Sequence, residues 1–186
     1  MSIIEDGKGS GRKMSVSSTQ RANVSAKAAF RAFYLSRDDG LAFNAVYDGM
    51  TAAAGDVVAY LKNDSSTRNI FIQRIEFHSA VAVKWRVYSV SGTAASGETV
   101  TPSQLNLAKG IGSEGVAMAG DTAITGLTNL AQIGVHRSTA GDVTEKLYGG
   151  ALILGPGDAI AVEYDTGTAG ICDVEIWFWH EDLGAS

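Results

Sequence analysis

The chain has 186 residues, 45% of them hydrophobic, and a net charge of −5, which is enough for one domain with a buried core. No run approaches the roughly 18 apolar residues of a membrane helix, and residues 1–11 lack the apolar segment of a signal peptide, so we expect neither. Cys172 is the single cysteine, which excludes an internal disulfide and predicts a small buried residue. The 22 glycines and 2 prolines, set between short apolar runs, predict an all-β protein.

Residues 1–30 differ from the rest and are predicted to form a flexible basic arm, with residues 31–186 as the folded domain. Up to position 31 there are six Lys or Arg and two acids, so residues 1–31 carry +4 and the remainder of the chain carries −9. The glycine-rich start and the scarcity of large apolar residues favour an extended chain. A short helix is predicted over Ser25–Phe33, with Ser25 as its cap.

Three interpretations of the arm follow from its charge. It could bind nucleic acid, but no aromatic residues interleave its cations, and we expect no specific nucleic acid partner. It could be a tail without a role. We favour an arm that lies along a neighbouring subunit and orders on assembly. The expected contact residues are the cations Lys8, Arg12, Lys13 and Arg21.

The folded domain begins with predicted strands. Phe33–Leu35 and Leu41–Tyr47 flank Arg37–Gly40, and an Asp-Gly turn between apolar runs indicates a hairpin. Asn69–Ser79 is predicted as one long strand. The parity of its apolar residues changes at Gln73–Arg74, which indicates a β-bulge.

The middle of the chain is less regular. One short strand is predicted within Thr99–Leu107, and one or two more between residues 122 and 136. Gly110–Asp121 is predicted to be a surface loop because it is rich in glycine. A long irregular region of this kind is commonly functional or interface-forming.

The segment Leu147–Asp182 carries the clearest pattern. It predicts three strands, the first two joined by a turn at Gly155–Asp158. In the last strand the aliphatic residues alternate with a face that holds Trp177, Trp179 and acids. Those tryptophans either form a subunit contact or are covered by loops of the same subunit. The total of eight or nine strands predicts a two-sheet β-sandwich of jelly-roll type with an extended N-terminal arm.

No catalytic motif is present in the sequence. It lacks the Gly-rich phosphate loops, the nucleophile elbow and the zinc spacings. The polar cluster of His180, Glu181 and Asp182 is interpreted as a solvated strand end rather than a metal or catalytic site. Glu163 and Glu175 could face each other on adjacent strands, but nothing else marks them as a catalytic pair. We expect no enzyme, no metal and no cofactor.

Several segments together carry a family resemblance. They are the basic arm, the YLKN sequence of Tyr60–Asn63, the IxxIxF pattern within Asn69–Phe77, the ALILGPGD sequence of Ala151–Asp158 and the closing VEIWFWHED of Val174–Asp182. In this order the chain resembles small virion structural proteins of tailed bacteriophages, of the capsid decoration or cement type. The resemblance covers most of residues 30–182.

The resemblance implies a non-catalytic protein on the capsid surface of the virion, assembled in the host cytoplasm. Its implied partners are the major capsid protein and copies of itself, with a trimer favoured over a dimer and no membrane involved. The arm would reach neighbouring subunits. The leading alternative is a tail, collar or receptor-binding jelly roll, and the absence of a heptad stem favours decoration over it. An enzymatic β-sandwich and a cellular lectin-like or cytokine-like jelly roll are further alternatives.

Overall fold

The computed structural model of the protein describes residues 3–5, 13–15, 35–120 and 123–183. Its contacts divide the chain into two compact units, Met1–Phe30 and Arg31–Ser186. In the first unit, strands β1 (Ile3–Glu5) and β2 (Lys13–Ser15) pair antiparallel. The predicted arm therefore contains a short β-ladder that its composition did not indicate. The predicted helix at Ser25–Phe33 lies outside the described residues.

The second unit is built from two antiparallel sheets. Its elements are a π-helical turn (Leu35–Asp39), β3 (Ala42–Ala52), β4 (Asp56–Asn63), β5 (Arg68–Ser79), β6 (Val83–Gly92), β7 (Glu98–Val100), β8 (Ser103–Gln104), β9 (Gly115–Ala119), β10 (Leu127–Ser138), β11 (Val143–Leu154), β12 (Ala159–Gly167) and β13 (Gly170–Asp182). The five-stranded sheet has the order β11-β5-β13-β3-β8, and the six-stranded sheet has the order β10-β6-β12-β4-β9-β7. The prediction of an all-β fold with two sheets is confirmed.

The hydrophobic core lies between the two sheets and draws buried side chains from both. Trp85 of β6 is fully buried, its ring centroid 5.5 Å from that of Phe77 in the opposite sheet. The indole Nε1 of Trp85 donates to Ser138 Oγ over 3.0 Å. Tyr47 Oη of β3 donates to the carbonyl of Tyr60 in β4 over 2.9 Å, so that a buried hydroxyl keeps a partner where the sheets meet.

The predicted bulge in β5 is confirmed. Along β13, Trp177 lies opposite Arg74 and Phe178 lies opposite Ile72, so that Gln73 has no counterpart. This extra residue reverses the parity of the strand. As a result Ile70 and Ile72 before it, and Ile75 and Phe77 after it, all point into the core and are fully buried.

The predicted hairpin at Arg37–Gly40 is wrong. Leu35–Asp39 instead forms the π-helical turn, closed by the Leu41 amide, which donates to the Leu35 carbonyl over 3.0 Å. The Leu35 side chain is 6% exposed because it packs against Ala42 and Trp179. Burial of this leucine therefore outweighs the local preference of an Asp-Gly pair for a hairpin. Phe33 and Tyr34, predicted to belong to the first strand, lie outside the described residues.

The middle of the chain is more ordered than predicted. Within the expected loop Gly110–Asp121, strand β9 forms because it pairs with β4 on one side and with β7 on the other. The sequence predicted one strand within Thr99–Leu107. The structure has two short strands there, because β7 ends at Val100 and β8 spans Ser103–Gln104. The described residues therefore contain more strands than the eight or nine expected.

The three strands predicted within Leu147–Asp182 are confirmed as β11, β12 and β13. The turn at Gly155–Asp158 uses Gly157 at φ +84°, a conformation that favours glycine. Because β12 lies in the six-stranded sheet and β13 in the five-stranded sheet, Glu163 and Glu175 lie on different sheets. The expectation that these two carboxylates face each other on adjacent strands is therefore wrong. Cys172 is fully buried as predicted, and burial raises the pKa of its thiol to about 12.

The bulge yields a prediction about single-residue deletions in β5. Deleting Gln73 removes the unmatched residue and leaves an unbroken alternation, so the variant should fold within about 1.5 kcal/mol of the wild type. Deleting Glu76 instead brings Ile75 and Phe77 next to each other, so that one of them must leave the core. That variant should lose more than about 4 kcal/mol or fail to fold. Urea unfolding of both variants measures the difference, and equal losses would contradict the assigned register.

Candidate interaction surface

The outer face of the five-stranded sheet is centred on Trp177 of β13, which pairs with β5 on one side and with β3 on the other. Because side chains alternate along each strand, the residues that oppose Trp177 and its neighbours share this face. We call this surface the Trp177 face, and it consists of Asn44, Val46, Arg74, Glu76, His78, Val143, Glu145, Leu147, Asp173, Glu175 and Trp177.

The centre of the Trp177 face is a stacked cation–aromatic pair. The guanidinium carbon of Arg74 lies 4.2 Å from the ring centroid of Trp177. Arg74 also pairs with Glu76 at 3.0 Å and with Glu145 at 3.3 Å. The bulge at Gln73 places Arg74 on this face, directly opposite the tryptophan. Arg74 was not among the contact residues predicted from the sequence, although the parity change beside it was the signal that could have identified it.

Three glutamates form a row across neighbouring strands beside this pair. Glu76 lies opposite Glu145 on one side and opposite Glu175 on the other. Like charges directly opposite each other are destabilising in a sheet. Glu175 is held by two donors, Asn44 Nδ2 at 2.9 Å and Trp177 Nε1 at 3.1 Å. The row is therefore a fixed array of acceptors with a single guanidinium among them, which suits a basic partner.

A shallow groove borders the glutamate row. It has a volume of about 320 Å³ and is lined by Glu76, Phe77, His78, Val143, Asp173 and Glu175. His78 Nδ1 lies 2.8 Å from Asp173 Oδ2, and the Gly49 amide donates to Asp173 Oδ1 over 2.7 Å. Partial burial acts to raise the pKa of Asp173, but these hydrogen bonds outweigh it and the pKa is lowered. Asp173 is therefore held in its charged form at neutral pH.

The two tryptophans predicted as contact residues occupy different environments. Trp177 is half-buried on the open face. Trp179 is 5% exposed, because the π-helical turn and Ala42 cover it within the same unit. Its ring stacks on Phe71 with centroids 5.6 Å apart, and its Nε1 donates to Glu181 over 2.7 Å. Of the two alternatives, cover by the same subunit therefore holds for Trp179.

The polar cluster at the end of β13 is not the solvated strand end that we predicted. His180 is 1% exposed, points into the core and contacts Phe43 and Phe178 edge-on. Its Nε2 lies 3.2 Å from Ser113 Oγ. Burial lowers the pKa of His180 to about 4, so its imidazole is neutral at pH 7. Asp182, in contrast, is exposed and pairs with Arg68 at 2.8 Å.

The cations predicted to make contacts in the arm are only partly described. Lys13 begins β2 and lies opposite Glu5 in the register of the short ladder. Lys8, Arg12 and Arg21 lie outside the described residues.

The described residues contain no group of three or more His, Cys, Asp or Glu side chains that could hold a metal ion. Within the same part of the chain, no helix has the length and apolar character that a membrane span needs. The Trp177 face presents a stacked aromatic ring, hydrogen-bonding groups and charged side chains.

Comparison of the chain with protein-family models, with curated proteins and with solved structures finds no match in any of the three.

The different environments of the two tryptophans predict different effects of substitution. Trp179→Ala empties a buried site and should lower the free energy of unfolding by about 3–5 kcal/mol. Trp177→Ala loses one stacking contact on an open face and should cost about 1 kcal/mol. Chemical unfolding of the two variants, which serve as controls for each other, measures the difference. A larger loss for Trp177→Ala would contradict the burial assigned to Trp179.

The buried His180 predicts loss of stability in mild acid. An unfolded histidine has a pKa of about 6.5, so between pH 6.5 and about 4 the unfolded chain binds a proton that folded His180 excludes. Stability should therefore fall as the pH is lowered through this window, by up to about 3 kcal/mol from this residue. His180→Leu should show a smaller fall, which unfolding at pH 7, 5.5 and 4.5 measures. An unchanged pH dependence would show that His180 takes up a proton in the fold.

Proposed function

We propose that this chain is a non-catalytic structural protein of tailed-bacteriophage virions, a decoration or cement protein that binds the assembled capsid shell and stabilises it. The observation that carries the proposal is the Trp177 face. Tryptophan and arginine are the residues that most often dominate binding energy at protein interfaces, and here they are stacked and held in place by carboxylates. The resemblance of the sequence to decoration proteins supplies the class of partner, the major capsid protein.

We propose further that the sandwich is a jelly roll. The order of the long strands supports this, since β11-β5-β13-β3 run side by side in one sheet and β10-β6-β12-β4 in the other. Among these strands, consecutive ones lie in opposite sheets except β6 and β10, which pair as neighbours. Two four-stranded sheets linked by such crossings are typical of a jelly roll, with β7, β8 and β9 as an insertion between β6 and β10.

The proposed mechanism is stabilisation by selective binding. A protein that binds the assembled shell and not its dissociated subunits shifts the equilibrium towards the shell. Many copies that each touch more than one capsomer add avidity. The basic arm, at +4 against −9 for the rest, is proposed to reach neighbouring copies or acidic capsid surface. The proposed location of the protein is therefore the outer surface of the virion.

Co-sedimentation with phage heads tests the proposal. Purified protein is mixed with heads and, separately, with tails of a phage whose genome encodes the chain, and the bound protein is counted per particle. Many copies per head and none per tail support a decoration role. Binding to tails alone would contradict it and favour a tail or receptor-binding role, and binding to neither particle would contradict the decoration role without favouring a tail role.

Two variants of the full-length chain test which residues make the contact. Replacing Trp177 and Arg74 by Ala should weaken binding to heads by on the order of a hundredfold, because two such anchors are each worth more than about 1 kcal/mol at an interface. Reversing the charge of Lys8, Arg12, Lys13 and Arg21 should weaken it further at low salt. Lys109→Glu, a reversal at an exposed lysine of the body, is the matched control and should bind as the wild type does.

A further inference from the structure

The two sides of the sandwich end in very different strands. On one side the sheets end in β7 and β8, which are 3 and 2 residues long. On the other side they end in β10 and β11, each of 12 residues. A long edge strand presents unpaired backbone donors and acceptors to any other chain, and proteins commonly protect themselves by keeping edge strands short. Of the sandwich edges in the described part of the chain, those on the β10–β11 side lack that protection.

The edge is regular near the connection between the two strands. The register of β10 with β6 is irregular before Gly134 but unbroken over Gly134–Ser138, and that of β11 with β5 is unbroken over Val143–Leu147. Thr144 Oγ1 donates to the Arg137 carbonyl over 3.3 Å, which ties the two stretches together. Residues 134–138 of β10 and 143–147 of β11 are thus the neighbouring edges of the two sheets, and each could pair with a further strand.

The same edge carries exposed aliphatic side chains. Of the twelve exposed large hydrophobic residues in the described part of the chain, five lie on β10 and β11. They are Leu130 (65% exposed), Val135 (42%), Val143 (64%), Leu147 (63%) and Ile153 (47%). Val143 and Leu147 belong to the Trp177 face, whereas Val135 lies opposite Arg86 on the outer face of the other sheet, so exposed apolar residues flank this edge on both sides.

Charge indicates which partner fits this edge. Residues 32–186 have a net charge of −9, which disfavours contact between two copies of this part of the chain unless the contact surface itself is neutral. Residues 127–154 carry only Arg137, Asp142, Glu145 and Lys146, which sum to zero. Two copies can therefore meet here without net repulsion, whereas a strongly basic partner would gain little from this edge.

We propose that the β10–β11 edge is the surface through which copies of this chain associate, by pairing of edge strands and burial of the exposed aliphatic side chains. The arrangement leaves the centre of the Trp177 face, around Trp177 and Arg74, open for a different partner. This inference rests on the proposed function and deepens that function, because it names the surface that joins the copies.

Light scattering of the full-length protein over a range of concentrations tests the inference. The wild type should be an oligomer. Leu147→Lys and Val135→Lys each place a charge in the contact and should raise the dissociation constant by on the order of tenfold to a hundredfold. Leu107→Lys makes the same kind of change at a residue 86% exposed on the β8–β9 connection, and it should leave the mass unchanged. A monomeric wild type, or edge variants that associate as the wild type does, would overturn the inference.

Hydrogen exchange of the unmodified protein gives a test that does not depend on how the variants fold. Amides in peptides spanning residues 134–147 should be protected at high concentration and lose that protection on dilution below the dissociation constant. Fast exchange at every concentration would overturn the inference. Neither measurement uses phage heads. An oligomer that ignores heads would contradict the capsid proposal alone, and a monomer that binds heads would contradict this inference alone.

Discussion

The pairing of β5 with β13 is the constraint on which both faces of the five-stranded sheet depend. One unmatched residue, Gln73, lets two pairs of apolar residues that differ in parity point into the same core. The same residue turns Arg74 outwards, opposite Trp177. A side-chain period of two means that any other register would place apolar residues in solvent and charges in the core. Core packing and surface chemistry are thus set by a single bulge.

The predictable parts of the fold were those whose pattern is local. Alternation within β5 and β13, and the parity change at Gln73, are visible in the sequence because each residue's face follows from its neighbours along the chain. The π-helical turn at Leu35 and strand β9 were missed, since both depend on partners distant in sequence. The burial of His180 was missed for the same reason, and the sequence left the burial of Trp179 as one of two alternatives, because other elements cover these side chains.

The structure shows two kinds of surface, which share Val143, Glu145 and Leu147 of β11. The Trp177 face combines an aromatic ring, a guanidinium and a row of carboxylates, a combination that would suit the proposed charged partner. The β10–β11 edge is neutral overall and aliphatic, with unpaired backbone, which suits a like copy. The proposed decoration role would use both surfaces, one to join copies of the chain and the other to hold a shell of different chemistry. Neither function requires a catalytic cleft.

A structure of the associated copies, determined by electron cryomicroscopy or crystallography, tests the division of roles between the two surfaces most directly. We expect β10 or β11 of one copy to lie against the same edge of a neighbour, with Leu147 and Val135 buried between them. We also expect Trp177 and Arg74 to remain accessible in that assembly. An assembly in which the β10–β11 edge faces solvent and the Trp177 face joins the copies would contradict this division.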